Sequence, residues 1–123
     1  MKAKPESVTE WRAPRRPAPP LLSVVLPTYN RGRLLPRSVD SVLGQTEGDL
    51  ELIVVDDGSS DDTREYVAGI RERDPRVGYM REQNLGLPRA LNNGFRVARG
   101  EFWTWTSDDN RYFPEALDRS RFL

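Results

Sequence analysis

The sequence predicts an α/β fold, a mainly parallel open sheet with flanking helices. From residue 21 onward, short apolar runs alternate with longer amphipathic stretches, which is typical of consecutive βαβ units. Polar, acid-rich segments follow several of these apolar runs. The 123 residues correspond to one compact domain. We therefore expect a folded part over residues 21–123, preceded by a tail over residues 1–20.

Four strands are expected, because each is a short apolar run bounded by turn residues. They are 22–26 (LSVVL), 50–55 (LELIVV), 77–81 (VGYMR) and 101–106 (EFWTWT).

Three helices are expected between these strands. Apolar residues recur at helical spacing over 34–43, and the stretch 60–74 follows with Ser60 or Asp61 as its N-terminal cap. The third helix covers 88–99 and stops at Gly100. Beyond the fourth strand the sequence is too short to predict how the sheet continues, so the fold looks truncated there.

Residues 1–20 form a Pro/Arg-rich segment that is expected to be disordered. They contain five of the ten prolines and few large apolar residues apart from Trp11. Such a segment buries too little apolar surface to offset the entropy lost on ordering. A role at a membrane surface or a partner is the less favoured interpretation.

Composition limits the possible chemistry. Basic and acidic residues number 19 each, so charge gives no reason to expect nucleic acid or an anionic membrane as a partner. Histidine and cysteine are absent, which leaves carboxylates and a metal for any catalysis. No apolar run approaches the roughly 20 residues of a membrane span, and the N-terminus has charges and prolines where a secretory signal would need an apolar run of about 7–15 residues. A cytoplasmic protein is expected.

Polar segments follow all four predicted strands. They are PTYN (27–30), DDGS (56–59), NLGLPR (84–89) and SDDN (107–110). Ligands of such sheets bind outside the carboxyl ends of the strands, so we expect these segments to converge on one crevice.

Each segment also has a purely structural interpretation, as a turn or a helix cap. Two acidic pairs at one sheet edge, however, bring like charges together. This lowers stability unless a cation or hydrogen-bond donors balance the charges. A divalent cation is the simplest partner for such a cluster.

Taken in order, the segments SVVLPTYNR, SVLGQT, LELIVVDDGSSDDT, NLGLPRALNNGFRVARGEF and WTSDDNRYFPEAL resemble the first half of family 2 glycosyltransferases with the GT-A fold. The resemblance covers about residues 21–117. Each segment alone is common, whereas the ordered set at these intervals is specific.

The resemblance implies a role for each candidate residue in donor binding. It places Thr28 and Tyr29 against the nucleotide base and gives Asp57 the base edge, typically that of uracil, with Asp56 supporting the turn. It also suggests Arg89 as a donor contact, with a surface helix arginine as the alternative interpretation.

The SDDN segment takes the place of the family's acidic DxD motif. The resemblance implies that Asp109 ligates Mn²⁺ or Mg²⁺ bridging the two phosphates. Ser107 replaces the first acid of a strict DxD, which leaves Asp108 as the expected contact to sugar or ribose.

The implied function is a metal-assisted, inverting glycosyltransferase. It would move a sugar from a UDP- or dTDP-linked donor to a glycan, lipid or protein acceptor. In the family the general base lies beyond the DxD motif, so it is not expected in this sequence. The chain is then either part of a longer enzyme or a donor-binding module without turnover.

Other nucleotide- or phosphate-binding classes lack their motifs here. A receiver domain or P-loop protein needs a lysine at the site, but the only lysines are Lys2 and Lys4. No GxGxxG follows the first predicted strand, which disfavours a dinucleotide-binding domain.

Overall fold

A computed structural model describes residue 5 and residues 7–121 of the chain. The strands are β1 (Val8–Arg12), β2 (Leu22–Thr28), β3 (Leu50–Asp56), β4 (Val77–Glu82) and β5 (Phe102–Trp105). The helices are α1 (Leu35–Leu43), α2 (Thr63–Arg73) and α3 (Leu87–Val97), followed by a short 3-10 turn at Arg119–Arg121. The strand order is β1-β4-β3-β2-β5. Strands β2 to β5 pair in parallel, and β1 joins β4 antiparallel, which confirms the α/β prediction.

The two central strands are buried along their whole length. All residues of β2 and β3 are buried, as expected for parallel strands covered on both faces. Alternate residues enter different clusters: Leu26 packs on the side of α1 and α2, whereas Val25 packs on the side of α3. Among the described residues, no helix is long and apolar enough to cross a membrane.

The expected disorder of residues 1–20 is wrong for residues 8–12, which form the edge strand β1. Val8 lies opposite Glu82 and Trp11 opposite Met80. The strand forms because β4 offers an unpaired edge, and because Val8 is buried and Trp11 packs on the α3-side cluster. Residues 1–4 and 6, which the same prediction covers, lie outside the described residues.

The predicted ends of the elements differ from the observed ones by up to three residues. Strand β5 is two residues shorter than expected. At the start of α2, the Asp61 carboxylate accepts the Thr63 N–H at 3.0 Å and the Thr63 hydroxyl at 2.6 Å. The N-cap position of α2 is Asp62, without a side-chain cap hydrogen bond, so the predicted cap at Ser60 or Asp61 is wrong in position, although Asp61 still satisfies the first backbone donor of the helix.

Close packing of α3 on the sheet requires a glycine at position 94, and this is testable. A Cβ atom on Gly94 would lie 2.5 Å from Val25 Cγ1 and 3.1 Å from Val55 Cγ2. We expect Gly94→Ala to lower the free energy of unfolding by about 1–3 kcal/mol, as for other overpacked cores. Urea denaturation measures this change.

Gly69→Ala in α2 is the matched control, because no atom lies within 4 Å of the added Cβ. In a helix interior this change is expected to stabilise by roughly 0.5–1 kcal/mol. If both substitutions stabilise the protein, the close contact between α3 and the sheet does not exist.

Candidate functional site

The carboxyl ends of β2, β3 and β5 border one cleft of about 370 Å³. It arises because these parallel strands all end at the same edge of the sheet. Its lining includes five of the six candidate residues: Thr28, Tyr29, Asp57, Asp108 and Asp109. The predicted convergence of the polar segments is confirmed for these residues.

Thr28 is the last residue of β2, Tyr29 follows it, and the two differ in what they present to the cleft. Thr28 is buried, and its hydroxyl donates to Asp108 Oδ2 at 2.9 Å. Its carbonyl accepts the Asp57 N–H at 2.9 Å. Tyr29 is 44% exposed. Thr28 therefore orients two acids, while Tyr29 offers an aromatic ring to a ligand.

Asp57 is a rigid hydrogen-bond acceptor at the end of β3. Its Oδ1 accepts the Leu85 N–H at 2.7 Å and its Oδ2 accepts the Gly86 N–H at 3.0 Å. The next residue, Gly58, has a φ of 92°, a conformation that favours glycine. The sharp turn and the two N–H groups together fix the Asp57 carboxylate in the wall of the cleft.

Asp56 turns away from the cleft and supports the same turn. Its Oδ1 accepts the Ser59 N–H at 2.8 Å. Its Oδ2 accepts the Tyr79 hydroxyl at 2.6 Å and Arg81 Nη1 at 3.1 Å. Burial and this hydrogen bond to Asp56 raise the pKa of Tyr79. The carboxylate is fully buried and compensated, which fits a supporting role.

Asp108 and Asp109 follow β5 and differ in accessibility. Asp108 is buried against Thr28, whereas Asp109 is exposed. The Ser107 hydroxyl donates to Asp109 Oδ1 at 2.6 Å and lowers the pKa of that carboxyl. Ser107 thus orients the Asp109 carboxylate and favours its ionised form. It does so from the position of the first acid in a strict DxD motif.

Arg31 lines the cleft but is not among the residues that the sequence predicts for the site. Its Nε lies 3.9 Å from Asp108 Oδ1, and its Nη1 lies 3.8 Å from Asp109 Oδ2. The only sequence signal was its place directly after the PTYN segment. Leu87 and Trp105, also missed, add apolar surface to the lining.

Arg89 does not join the other candidates. It is exposed on the first turn of α3 and is not among the residues that line the cleft. Its charge instead partly opposes the rise in the pKa of Glu82 that burial causes. Arg89 thus lies beside the cleft, next to the lining residue Ala90, but is not part of the lining.

The acids fit a cation that is shared with a ligand. Within residues 5 and 7–121, no group of three or more acidic, histidine or cysteine side chains could hold a metal ion. Mg²⁺ and Mn²⁺ commonly bind through one or two carboxylates together with substrate phosphates. Asp109, exposed and ionised, can supply such a carboxylate, with Asp108 beside it.

The chain is an α/β domain with an open, mainly parallel sheet, and its acidic cleft lies at the carboxyl edge, where such sheets bind their ligands. Residues 23–119 match the sequence profile of Glycosyl transferase family 2. The chain belongs to this family.

Curated relatives are longer than this chain. It is 43% identical over 100 residues to a GalNAc(5)-diNAcBac-PP-undecaprenol beta-1,3-glucosyltransferase of Campylobacter jejuni, with 80% of the chain and 32% of that protein covered. It is 35% identical over 117 residues to chondroitin synthase of Escherichia coli, with 95% of the chain and 16% of that protein covered. The chain thus spans about a third or less of the length of these relatives.

Solved structures share the fold. The match to S. aureus TarS 1-349 in complex with UDP has a TM-score of 0.73 at 29% identity and covers 81% of this chain and 30% of that one. The match to the mannosyltransferase PcManGT from Pyrobaculum calidifontis, in complex with GDP-Man and Mn²⁺, has a TM-score of 0.71 at 30% identity. It covers 85% of this chain and 31% of that one. The predicted GT-A fold is confirmed.

Proposed function

We propose that this chain is the donor-binding part of an inverting, metal-assisted glycosyltransferase. It takes a sugar from a UDP- or dTDP-linked donor to a glycan, lipid or protein acceptor. The observation that carries the proposal is the presence of Asp57 and Asp109 in the wall of one cleft, one held rigidly by backbone N–H groups and the other exposed.

The Asp57 side of the cleft binds the base. A carboxylate with both oxygens fixed by N–H groups is a preorganised acceptor for an imide N–H, which uracil and thymine both present. Tyr29 lines the same cleft, and its exposed ring offers a surface for the base or ribose.

The Asp109 side of the cleft binds the diphosphate. Asp109, with Asp108 beside it, would hold Mn²⁺ or Mg²⁺, which would supply positive charge to balance that of the departing nucleoside diphosphate. Arg31 adds a second positive charge at this end, within 4 Å of both carboxylates. Thr28 and Ser107 keep the two acids in place through their hydroxyls.

The solved relatives support a nucleotide-linked donor and a divalent metal. TarS is solved with UDP and with UDP-GlcNAc, and PcManGT with GDP-Man and Mn²⁺. Because these nucleotides differ in their base, the base preference of this chain needs its own test.

Calorimetric titration with UDP, dTDP, GDP and ADP, each with and without Mn²⁺, tests the proposal. We expect UDP or dTDP to bind most tightly, because Asp57 accepts a hydrogen bond from their imide N–H. Preferred binding of GDP would overturn the preference for UDP or dTDP but not the role of Asp57, because guanine also presents a ring N–H to a carboxylate. Preferred binding of ADP, whose base lacks such a ring N–H, would overturn the role of Asp57. Failure of all four to bind in the presence of Mn²⁺ would overturn donor binding itself.

A donor-binding module without turnover is the second candidate function. Among the residues that the structure describes, the carboxylates lining the cleft are Asp57, Asp108 and Asp109. All three are assigned to the donor, which leaves no described acid in the cleft as a general base for the acceptor. Donor turnover by this chain, measured as release of nucleoside diphosphate in the presence of Mn²⁺, would exclude this alternative.

A further inference from the structure

A buried acid, Glu82, lies directly behind Asp57. It is the last residue of β4 and is 1% exposed. Its Oε1 accepts Asn93 Nδ2 at 2.8 Å, and the same amide also donates to the Ser7 hydroxyl at 3.1 Å. Glu82 Oε2 is buried, and no hydrogen-bond donor among the described residues reaches it.

The remaining polar neighbour of Glu82 is itself an acceptor. Asp56 pairs with Arg81 in the parallel register of β3 and β4, so the next residues, Asp57 and Glu82, lie side by side, and the Asp57 carboxylate acts on the Glu82 carboxyl. Two ionised carboxylates in contact repel each other, so one of them favours the protonated form. The unpartnered Oε2 is the natural position for that proton, since a protonated oxygen becomes a donor.

The surroundings decide which acid holds the proton. Asp57 accepts two backbone N–H groups, whereas Glu82 accepts only one neutral amide, so Glu82 is the less compensated of the two acids. Burial and the contact with Asp57 raise the pKa of Glu82 to about 7. Asn93 and the charge of Arg89 lower it only in part.

Among the described residues, other charged groups do not compensate Glu82. On its own strand, Arg81 pairs with Asp56. From β1, the facing residue is the apolar Val8. Within this part of the chain, the charged groups that act on Glu82 are therefore Asp57, after β3, and Arg89 on α3.

We propose that Glu82 carries a proton in the binding-competent protein and donates it in a hydrogen bond to Asp57. Glu82 is thus a positioning residue for base recognition, and the inference rests on the proposed role of Asp57. A carboxylate offers about four acceptor positions. Leu85, Gly86 and Glu82 occupy three of them, which leaves one for the N–H of a base.

Donor affinity should therefore fall as the pH rises. Loss of the proton removes a donor and places a second buried charge beside Asp57. If only the protonated form binds, with a midpoint near pH 7, affinity falls up to about tenfold between about pH 6 and about pH 8. The sequence has no histidine or cysteine, so no other side chain with an ordinary pKa titrates in this window.

The free energy of unfolding should depend on the same proton of Glu82. Folded Glu82 keeps its proton to a higher pH than the unfolded chain, whose glutamates titrate near 4.5. The stability that this proton contributes is fully present below that value and is lost as the pH rises through about 7. The melting temperature of the wild-type protein should therefore fall across this range.

The test uses the full chain, UDP-glucose without metal, and the substitution Glu82→Gln. The glutamine amide donates permanently to Asp57 while its carbonyl still accepts from Asn93. We expect Glu82→Gln to bind at every pH with the affinity of the wild type at about pH 6. Its melting temperature should be flat between about pH 5 and about pH 8. UDP-glucose is suitable because its phosphates keep one charge each throughout.

Glu51→Gln is the matched control, since Glu51 is a fully buried acid on β3 that does not line the cleft. It should keep the pH dependence of donor binding. Flat wild-type affinity and a flat wild-type melting temperature would overturn the inference. A melting temperature that depends on pH as expected, in a protein that binds no nucleotide at any pH, would support the proton and overturn the donor-binding function.

If Glu82→Gln does not fold, the carboxyl ¹³C shift of Glu82 in the wild-type protein decides the matter. A titration midpoint near 7 supports the shared proton, whereas a midpoint near the ordinary value of 4.5 overturns it.

Discussion

Mn²⁺ is expected to strengthen nucleotide diphosphate binding by this protein, and Asp109→Asn is expected to abolish that effect. One or two carboxylates alone hold a cation weakly, because Mn²⁺ and Mg²⁺ keep water unless phosphates complete the coordination. Metal and nucleotide must then strengthen each other's binding by the same factor, typically about 5- to 150-fold for coupled ligands. Calorimetry with UDP at several fixed Mn²⁺ concentrations measures this coupling.

The asparagine keeps the shape of Asp109 and removes its charge. It can still accept a hydrogen bond from the Ser107 hydroxyl, so the segment after β5 should keep its conformation. Metal-free binding of UDP should be nearly unchanged. Asp40→Asn, an exposed acid on α1 that does not line the cleft, is the control and should keep the full Mn²⁺ effect. Undiminished Mn²⁺ dependence in Asp109→Asn would refute the SDDN segment as the metal site.

The central strands of the sheet could be predicted because the residues within each strand are enough to identify it. Strands β2 and β3 are buried on both faces, so each appears as an apolar run with a single polar residue near its start, Ser23 in β2 and Glu51 in β3. The residues after them are polar because they end at a ligand-binding edge. Convergence of Tyr29, Asp57 and Asp109 then follows from parallel pairing alone, without knowledge of any side-chain contact.

Strand β1 could not be predicted because its stabilisation is non-local. Val8 pairs with Glu82, more than 70 residues away in the sequence, and the surrounding prolines conceal a short strand pattern. The edge of β4 supplies partners that composition does not reveal.

The missed and misplaced site residues have equally particular causes. Arg31 and Glu82 acquire meaning only through the acids they meet in space, Asp108 and Asp109 for the first and Asp57 for the second. Arg89 was expected near the donor from the resemblance, but the orientation of α3 leaves it exposed outside the cleft lining. Helix orientation against a sheet is set by packing, here by Gly94 on Val25.

Asp57→Ala is expected to weaken UDP binding with and without Mn²⁺. The substitution removes a charge-assisted hydrogen bond to the base, worth about 1.5–3 kcal/mol, or roughly 10- to 150-fold in affinity. Since Asp57 and Asp109 act on opposite ends of the ligand, the factor by which Mn²⁺ strengthens binding should be retained. Calorimetry under the same conditions as for Asp109→Asn measures both quantities.

Loss of Asp57 also frees the Leu85 and Gly86 N–H groups, so a disturbed loop must be distinguished from a lost base contact. Inorganic pyrophosphate with Mn²⁺ makes this distinction, because it has the phosphates and lacks the base. Asp57→Ala should bind pyrophosphate and Mn²⁺ like the wild type, whereas Asp109→Asn should not. If Asp57→Ala weakens pyrophosphate binding as much as UDP binding, Asp57 acts by holding the loop together and does not recognise the base.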